Sequence, residues 1–390
     1  MKVLFVAAEA SPFVKVGGLG DVIGGLPAAL NENGVDARVV LPLYSSIDRN
    51  KYNIRFVKYI YVSLGWKHIY CGIFEAEHKG IKFYFIDNEQ YFNRYQTYGE
   101  PDDGERFAFF SKAAVDMMPH IDFKADVMNA NDWHAALSVV YLDRYRRERN
   151  DFYKDMKSVI SIHNVEFQGK FNPYLLGSLF GLGNDYLGAL KFDHDINLLK
   201  GAIQLADRVN TVSENYANEL LNPYFSFGLD PILSSERGKL RGIVNGIDYD
   251  KFDPSSDPNI SQKFSLKSLN KKIKNKLAFQ KEMALEVSED IPMVGMVTRL
   301  TGQKGIDLVV GAAEHILNMG AQLVILGTGD PYFEDQLRNL ENRRHDKMRS
   351  ILKFSNEISS KIYASSDIFL MPGERAHHSN PESADRPYSS

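Results

Sequence analysis

The sequence has a single cysteine, no long apolar run and no excess of basic residues, and each absence excludes a class of protein. Because Cys71 has no second cysteine to pair with, an intramolecular disulfide and a cage of thiolate metal ligands are excluded. No stretch approaches the roughly 20 consecutive apolar residues of a membrane-spanning helix. The net charge of −4 argues against a nucleic-acid or membrane-surface partner. These absences predict a cytoplasmic protein with neutral or small anionic substrates.

The sequence does contain a regular alternation of short apolar segments and longer helical patterns. Such alternation predicts an α/β fold, with an open and mainly parallel sheet that has helices on both faces. In the first part of the chain, the predicted strands cover 3–7, 37–43, 81–86, 126–129, 159–162 and 207–212, and the predicted helices cover 22–30, 105–118 and 135–147.

A turn-rich segment around Pro254 and Pro258 marks a predicted domain boundary, after which the same pattern restarts. We therefore predict one domain over 1–252 and a second over 253–372. Residues 373–390 contain almost no apolar side chains, so they predict a disordered polar tail. In the second domain, the predicted strands cover 292–297, 322–326, 351–354 and 367–371, and the predicted helices cover 305–317, 332–344 and 356–365.

The segment from Lys15 to Asp21, with the sequence Lys-Val-Gly-Gly-Leu-Gly-Asp, joins the first predicted strand to the first predicted helix. Glycines allow close approach of a ligand, and a helix N-terminus attracts phosphate. The alternative is a tight turn with a surface lysine. The segment matches neither the Gly-x-Gly-x-x-Gly dinucleotide fingerprint nor the Walker pattern, which disfavours a nicotinamide dehydrogenase.

Polar clusters follow two other predicted strands. Asp132 lies just beyond one strand, and His163 closes another. Because ligands of open α/β sheets bind outside the carboxyl ends of the strands, both side chains are expected to face one crevice. The alternative, a histidine that is only a hydrogen-bonded core or surface residue, stays open at this point.

Arg299 and Lys304 lie between the first predicted strand and the first predicted helix of the second domain. Two cations at a helix N-terminus can clamp a diphosphate, and the alternative is a basic helix cap. Asp193-His194-Asp195 and Asp248-Tyr249-Asp250 match a loose Asp-x-Asp metal pattern, but the pattern is short and we interpret both as structural. The sequence therefore predicts no metal site and no cofactor.

Together, these segments resemble the ADP-glucose-dependent glycogen synthases of bacteria and starch synthases of plants. The resemblance covers about Met1 to Pro372. It implies a GT-B fold of two Rossmann-like domains with the active site between them. It also implies retaining transfer of glucose from ADP-glucose to the non-reducing end of an α-1,4-glucan, glycogen or starch. The matching motifs occur in the family's order: Lys15–Asp21, Asp132–His134, Ile162–Asn164, Ala206–Val209, Thr211–Ser213, Asn245–Asp248 and Arg299–Gly305.

The resemblance implies a substrate-binding role for five residues. Lys15 and Gly18 would contact the nucleotide diphosphate, and Gly17 and Asp21 belong to the same loop. Asn245 would hold the glucosyl unit.

It also implies a catalytic role for four residues. His163 would bind the glucosyl unit, and Asp132 would lie beside the reacting centre. Arg299 and Lys304 would neutralise the leaving phosphate.

The sequence departs from the family pattern beyond Pro372. The family continues with a glutamate that grips the donor sugar, and Ala376 occupies its place here. This departure predicts a C-terminally truncated, incomplete second domain and slow catalysis. An alternative that stays open is a catalytically impaired remnant, which only binds nucleotide or glucan. A different GT-B transferase, such as a sucrose or trehalose synthase, fits the Lys15–Asp21 loop less well.

Overall fold

The computed structural model describes residues 1–373, the side chains of residues 250 and 251 excepted. Contacts divide the chain into two compact units, Met1–Ile247 and the part from Asp248 onward. We call them unit 1 and unit 2. The predicted domain ranges, with their boundary at 252/253, stay a prediction.

In the described part of unit 1, the main sheet has nine strands in the order β12-β11-β7-β6-β1-β2-β5-β4-β3. All neighbouring strands are parallel except β5-β4 and β4-β3, which form antiparallel pairs. The strands of unit 1 are β1 Lys2–Val6, β2 Asp36–Pro42, β3 Arg55–Leu64, β4 Lys67–His78, β5 Ile81–Asp87, β6 Val127–Asn131, β7 Lys157–Ile162, β8 Lys170–Phe171, β9 Lys191–Phe192, β10 Asp195–Asn197, β11 Arg208–Thr211 and β12 Leu240–Gly242. Strands β8, β10 and β9 form a separate, antiparallel three-stranded sheet.

The helices of unit 1 supply much of its core, and α3 and α4 are buried along most of their length. Strand β1 is buried from Val3 to Val6, as expected for a central strand with helices on both faces. The helices are α1 Gly18–Glu32, α2 Glu89–Phe92, α3 Asp103–Asp116, α4 Asp132–Arg147, α5 Leu175–Ser178, α6 Leu187–Leu190, α7 Leu198–Leu205, α8 Glu214–Glu219, α9 Pro223–Ser226 and α10 Asp230–Ser235, with 3-10 turns at Met118–His120, Asn184–Tyr186 and Arg237–Lys239.

Unit 2 contains a four-stranded parallel sheet in the order β15-β14-β13-β16 within its described residues. Alternate residues of β13 and β14 enter two separate apolar clusters, one with Ile306 and Leu337 and the other with Phe279 and Ile362. Helices therefore cover both faces of this sheet. Its elements are α11 Tyr249–Phe252, a 3-10 turn Leu266–Lys271, α12 Lys272–Glu282, β13 Met293–Val297, a 3-10 turn Gly302–Lys304, α13 Ile306–Asn318, β14 Gln322–Leu326, α14 Pro331–Arg343, β15 Met348–Ile351, α15 Asn356–Ser365 and β16 Ile368–Phe369.

The structure corrects several predicted elements. The hairpin of β3 and β4 was absent from the prediction, and it makes one end of the sheet antiparallel. Helix α1 begins at Gly18 rather than at residue 22, and Pro27 lies in its interior. Strand β15 ends where the predicted strand begins, and β16 is shorter than predicted. The predicted disordered tail and Ala376 lie outside the described residues, apart from Gly373.

Candidate functional site

The predicted site residues of unit 1 gather at the ends of three neighbouring strands. Strand β1 leads into the segment 15–21, which we call the glycine loop; β6 ends directly before Asp132, and β7 ends directly before His163. Because these strands are parallel and adjacent, their carboxyl ends share one edge of the sheet. Asn245 is exposed and follows β12, which β11 separates from β7.

The glycine loop is held by two carboxylates. The Lys15 ammonium lies 2.7 Å from Asp21 Oδ2, so this cation is anchored beside the first turn of α1. The backbone N–H groups of Val16 and Gly17 donate to Oε2 of the buried Glu9, at 2.6 and 2.8 Å. Since α1 begins at Gly18, the N–H groups of its first turn have no partner within the helix and can meet an anion.

Asp132 positions the backbone that carries His163. It is 8% exposed, and its Oδ1 accepts hydrogen bonds from the N–H groups of His163 at 2.7 Å and Asn164 at 3.3 Å. Burial raises the pKa of the Asp132 carboxyl, whereas the charge and N–H of His163 oppose the rise. Its φ of +55° lies in the left-handed region, which aspartate adopts more readily than most residues.

Asn131 sets the tautomer of His163. The Asn131 amide nitrogen donates to the backbone carbonyls of Val6 and Asn129, each at 3.2 Å, which fixes the orientation of the amide. Asn131 Oδ1 therefore faces His163 Nε2 at 3.0 Å and can only accept, so the proton of a neutral ring lies on Nε2. Nδ1 of that ring is left as a hydrogen-bond acceptor.

His134 is a buried, neutral member of an aromatic cluster. Its ring lies 4.2 Å from the ring of Trp133, 4.4 Å from that of Tyr98 and 4.7 Å from that of Phe107. Burial lowers the pKa of His134 to about 3, with a smaller contribution from Arg106. Its Nδ1 is buried without a hydrogen-bond partner among the described residues.

We expect His134 to make unit 1 sensitive to acid. Its pKa falls from 6.5 to about 3 on folding, so stability is fully present above 6.5 and is lost as the pH falls toward 3. At about pH 5, this single group would cost about 2 kcal/mol of unfolding free energy. The His134→Phe variant keeps the ring packing and should lose this part of the pH dependence.

Urea unfolding monitored by Trp133 fluorescence measures this effect, because the only other tryptophan, the exposed Trp66, can be replaced by phenylalanine. The unfolding free energy of both proteins is compared at about pH 7.5 and about pH 5. An equal loss of stability on acidification with and without His134 would show that another group is responsible.

The predicted phosphate-binding segment of unit 2 lies at the ends of two adjacent parallel strands, β13 and β14. Backbone hydrogen bonds join the two following loops: Leu300 N–H donates to Thr328 O at 3.1 Å, and Asp330 N–H donates to Leu300 O at 2.8 Å. Gly305 adopts a φ of +63°, and an added Cβ would overlap the carbonyl oxygen of Pro372. This position therefore requires glycine, and it opens α13 at Ile306.

Arg299 and Lys304 are both exposed on this segment. Neither makes an ion pair with any residue between 1 and 373, in contrast to Lys15. Their charges are therefore available to an anionic group at the N-terminal end of α13.

For the two Asp-x-Asp segments, the structure describes the side chains of Asp193, Asp195 and Asp248 but not that of Asp250. Asp193 has a φ of +53° between β9 and β10, which is typical of an acidic residue in a turn. Among the side chains described within residues 1–373, which exclude those of residues 250 and 251, no group of three or more His, Cys, Asp and Glu could hold a metal ion. In the same part of the chain, no helix is long and apolar enough to cross a membrane.

Two structural members of the site, Glu9 and Asn131, are absent from the predicted residues. Both were visible as polar residues at predicted strand ends: Glu9 interrupts an apolar run before the glycine loop, and Asn131 precedes Asp132. In unit 2, the prediction also omits Gly327, Thr328 and Gly329, although glycines that directly follow a buried strand are a common sign of a phosphate loop.

Comparison with known proteins gives a consistent result over most of the chain. Residues 2–235 match the family described as the starch synthase catalytic domain. The glycogen synthase of Clostridium botulinum (strain Eklund 17B) is 47% identical over 375 residues, which cover 95% of this chain and 78% of that protein. The glycogen synthase of Lactobacillus acidophilus is 44% identical over 375 residues, which cover 95% of this chain and 79% of that protein.

The fold is shared with a solved structure of the same kind. The catalytic domain of starch synthase IV from Arabidopsis thaliana, bound to ADP and acarbose, superposes with a TM-score of 0.88 at 33% identity. The match covers 95% of this chain and 78% of that one. A glycosyltransferase from Rickettsia africae has a TM-score of 0.52 at 14% identity, so its similarity to this chain concerns the fold alone. The predicted GT-B fold class is confirmed.

Proposed function

We propose that this chain, which belongs to the glycogen and starch synthase family of glycosyltransferases, uses ADP-glucose as its donor and the non-reducing end of an α-1,4-glucan as its acceptor. One observation of the structure carries the proposal: the glycine loop, Asp132 and His163 lie at the ends of three adjacent strands. The relative from Arabidopsis thaliana binds ADP and acarbose, which supports an ADP-linked donor and a glucan acceptor. A cytoplasmic location belongs to the same proposal, since a chain with one cysteine cannot form an internal disulfide.

In the proposed donor site, the first turn of α1 and Lys15 bind the diphosphate. Asp21 holds the ammonium of Lys15 beside the helix N-terminus, where phosphate oxygens are favoured. Gly17 precedes the helix as its N-cap, and an added Cβ on Gly18 would meet nothing within 4 Å, so the open backbone at Gly18 allows close approach of the diphosphate.

In the proposed sugar site, the ring of His163 forms a hydrogen bond with a sugar hydroxyl through Nδ1. Asn131 and Asp132 hold that ring and its backbone, so the ring is oriented before the donor binds. Asn245 would add an amide to the same sugar from its exposed loop.

In the proposed reaction, glucose leaves the diphosphate with retention of configuration. Negative charge develops on the leaving phosphate as the bond to C1 breaks, and Arg299 and Lys304 would stabilise that charge. Arg299 can do so with two parallel N–H donors, and Lys304 as a compact point charge.

We expect the Lys15→Ala variant to bind ADP about tenfold more weakly, because one charge-assisted contact to the diphosphate is lost. Titration calorimetry of ADP against the unchanged chain and the variant measures the change. Lys51→Ala serves as the matched control, since Lys51 is an exposed lysine of the same unit, outside the glycine loop. Equal affinity of the Lys15→Ala variant and the unchanged chain would remove Lys15 from the donor site.

We expect transfer to be independent of divalent metal, because two cationic side chains are proposed to stabilise the leaving diphosphate. Glucosyl incorporation into glycogen is measured after treatment with EDTA and after addition of magnesium or manganese. Activity that EDTA abolishes and either metal restores would contradict this role for Arg299 and Lys304.

A further inference from the structure

We propose that Glu9 is a positioning residue that holds the glycine loop in its anion-binding conformation; this inference rests on the donor site proposed above. Glu9 lies three residues beyond the end of β1 and is 4% exposed. It acts on the donor through the backbone of Val16 and Gly17, without touching the donor itself.

The carboxylate of Glu9 is held by three hydrogen bonds. Oε2 accepts from the N–H groups of Val16 at 2.6 Å and Gly17 at 2.8 Å, and Oε1 accepts from the Tyr98 hydroxyl at 3.1 Å. Hydrogen bonds to an ionised acceptor are stronger than those between neutral groups. Tyr98 therefore fixes the carboxylate from one side, and the carboxylate fixes the loop on the other.

The third glycine of the loop, Gly20, packs closely against this carboxylate. A Cβ on Gly20 would lie 3.0 Å from Glu9 Oε2 and 3.2 Å from Cγ of Lys15, whereas one on Gly18 would meet nothing within 4 Å. Gly20 thus lets the helix pack on Glu9 and on the stem of Lys15. Gly18 keeps the outer side of the loop open for a ligand.

Glu9 also divides the donors of the loop into two sets. The N–H groups of Val16 and Gly17 are occupied by Glu9, so they are not available to a phosphate. The N–H groups of Gly18, Leu19 and Gly20 belong to the first turn of α1 and have no partner within the helix; Gly18 is the exposed member of the three, and we infer that the diphosphate binds at this end of the helix. By holding the N–H groups of Val16 and Gly17, Glu9 orients the first turn of α1 and the N–H groups of that turn.

The same carboxylate is electrostatically linked to the other part of the unit 1 site. Burial raises the pKa of the Tyr98 phenol, and the charge of Glu9 raises it further. Burial also raises the pKa of Asp132, and the charge of Glu9 adds to that rise. The charge of Glu9 therefore acts on the residue that positions His163 as well as on the glycine loop.

The test compares Glu9→Ala with Glu9→Gln. A single oxygen, Oε2, accepts both loop N–H groups, so the amide oxygen of glutamine can replace it, and alanine cannot. We expect Glu9→Ala to weaken ADP binding about tenfold or more, and to raise the KM for ADP-glucose by a similar factor with a smaller change in kcat. Glu9→Gln should retain most of the affinity.

Asp207→Ala is the matched control for the loss of a carboxylate that binds backbone. Asp207 accepts from Ser158 N–H at 2.9 Å at the opposite, amino-terminal edge of the sheet. Its loss should lower the thermal stability of the protein and leave ADP affinity unchanged, because the site is distant.

Amide hydrogen exchange separates a failure of this inference from a failure of the proposed function. If the unchanged chain does not bind ADP, the proposed donor site fails. The positioning role is then still tested, because exchange at Val16 and Gly17 should rise about tenfold in folded Glu9→Ala and much less in Glu9→Gln. Unaltered exchange in Glu9→Ala, ADP affinity equal to that of the unchanged chain, or a Glu9→Gln defect as large as that of Glu9→Ala would each overturn the inference.

Discussion

The Lys304→Ala variant is expected to transfer glucose about 10²–10³-fold more slowly than the unchanged chain, because one preorganised contact to the developing charge is lost. Lys304 is exposed at the N-terminal end of α13 and has no ion pair among residues 1–373, so its charge is not offset there. Arg299→Ala should have an effect of the same order. The measurement is kcat for ADP-glucose with glycogen as acceptor.

The control is Lys281→Ala, which removes an exposed lysine from the last turn of α12 in the same unit. This variant should keep the activity of the unchanged chain. If Lys304→Ala and Lys281→Ala give the same kcat, the cations at the N-terminal end of α13 do not stabilise the leaving phosphate. In that case the alternative of a basic helix cap is correct.

The Asp132→Ala variant is expected to lose about 10²-fold in kcat, because a small displacement of His163 is enough to misplace the sugar. The substitution leaves the N–H groups of His163 and Asn164 without their carboxylate partner. Asp132→Asn retains an oxygen that can accept both hydrogen bonds and should lose much less. The ratio of the two kcat values therefore separates positioning of His163 from a need for the negative charge.

Asp122→Ala is the matched control for backbone strain. Asp122 is exposed and also has a positive φ, of +50°, but it lies before β6, at the amino-terminal edge of the sheet. Its replacement imposes the same left-handed conformation on alanine without affecting the site. If Asp132→Asn is as inactive as Asp132→Ala, the carboxylate charge itself is required and the positioning role is insufficient.

The sequence predicted an element correctly where its apolar pattern and its end signals indicate the same bounds. Strand β14 is buried at every position from Gln322 to Leu326, and its bounds match the prediction. Helix α15 also matches from Asn356 to Ser365, because Ser355 caps it by accepting from the N–H of Ile358. A continuous apolar run and a side-chain cap are local features, so sequence alone reveals them.

The elements that were missed depend on tertiary structure. Strand β15 contains Arg349, which is 8% exposed and donates to the carbonyls of Met283 and Ala284, so its pattern does not look like a buried strand. The β3–β4 hairpin was missed because Tyr59 and Tyr61 of β3 are apolar but exposed, which obscures the alternation of a half-buried strand.

The sequence predicted those site residues that belong to a motif whose side chains indicate a chemical role by themselves. Lys15, Asp132, His163, Arg299 and Lys304 all lie beyond strand ends, as their spacing predicts, although their roles stay predictions. The prediction did not include Glu9 or Asn131, because part of what holds each side chain in place comes from a partner far along the chain. Asn131 contacts Val6, 125 residues away, and Glu9 contacts Tyr98, 89 residues away. Such contacts exist only after the sheet has formed.

The chemistry of the product tests the proposed function most directly. The chain is incubated with radiolabelled ADP-glucose and glycogen, and the labelled glycogen is digested with β-amylase, which removes maltose from the non-reducing ends of α-1,4-linked chains. The proposed function predicts that label enters glycogen, far more from ADP-glucose than from UDP-glucose, and that digestion releases it as maltose. Binding of ADP without any incorporation, or label that resists the digestion, would contradict it.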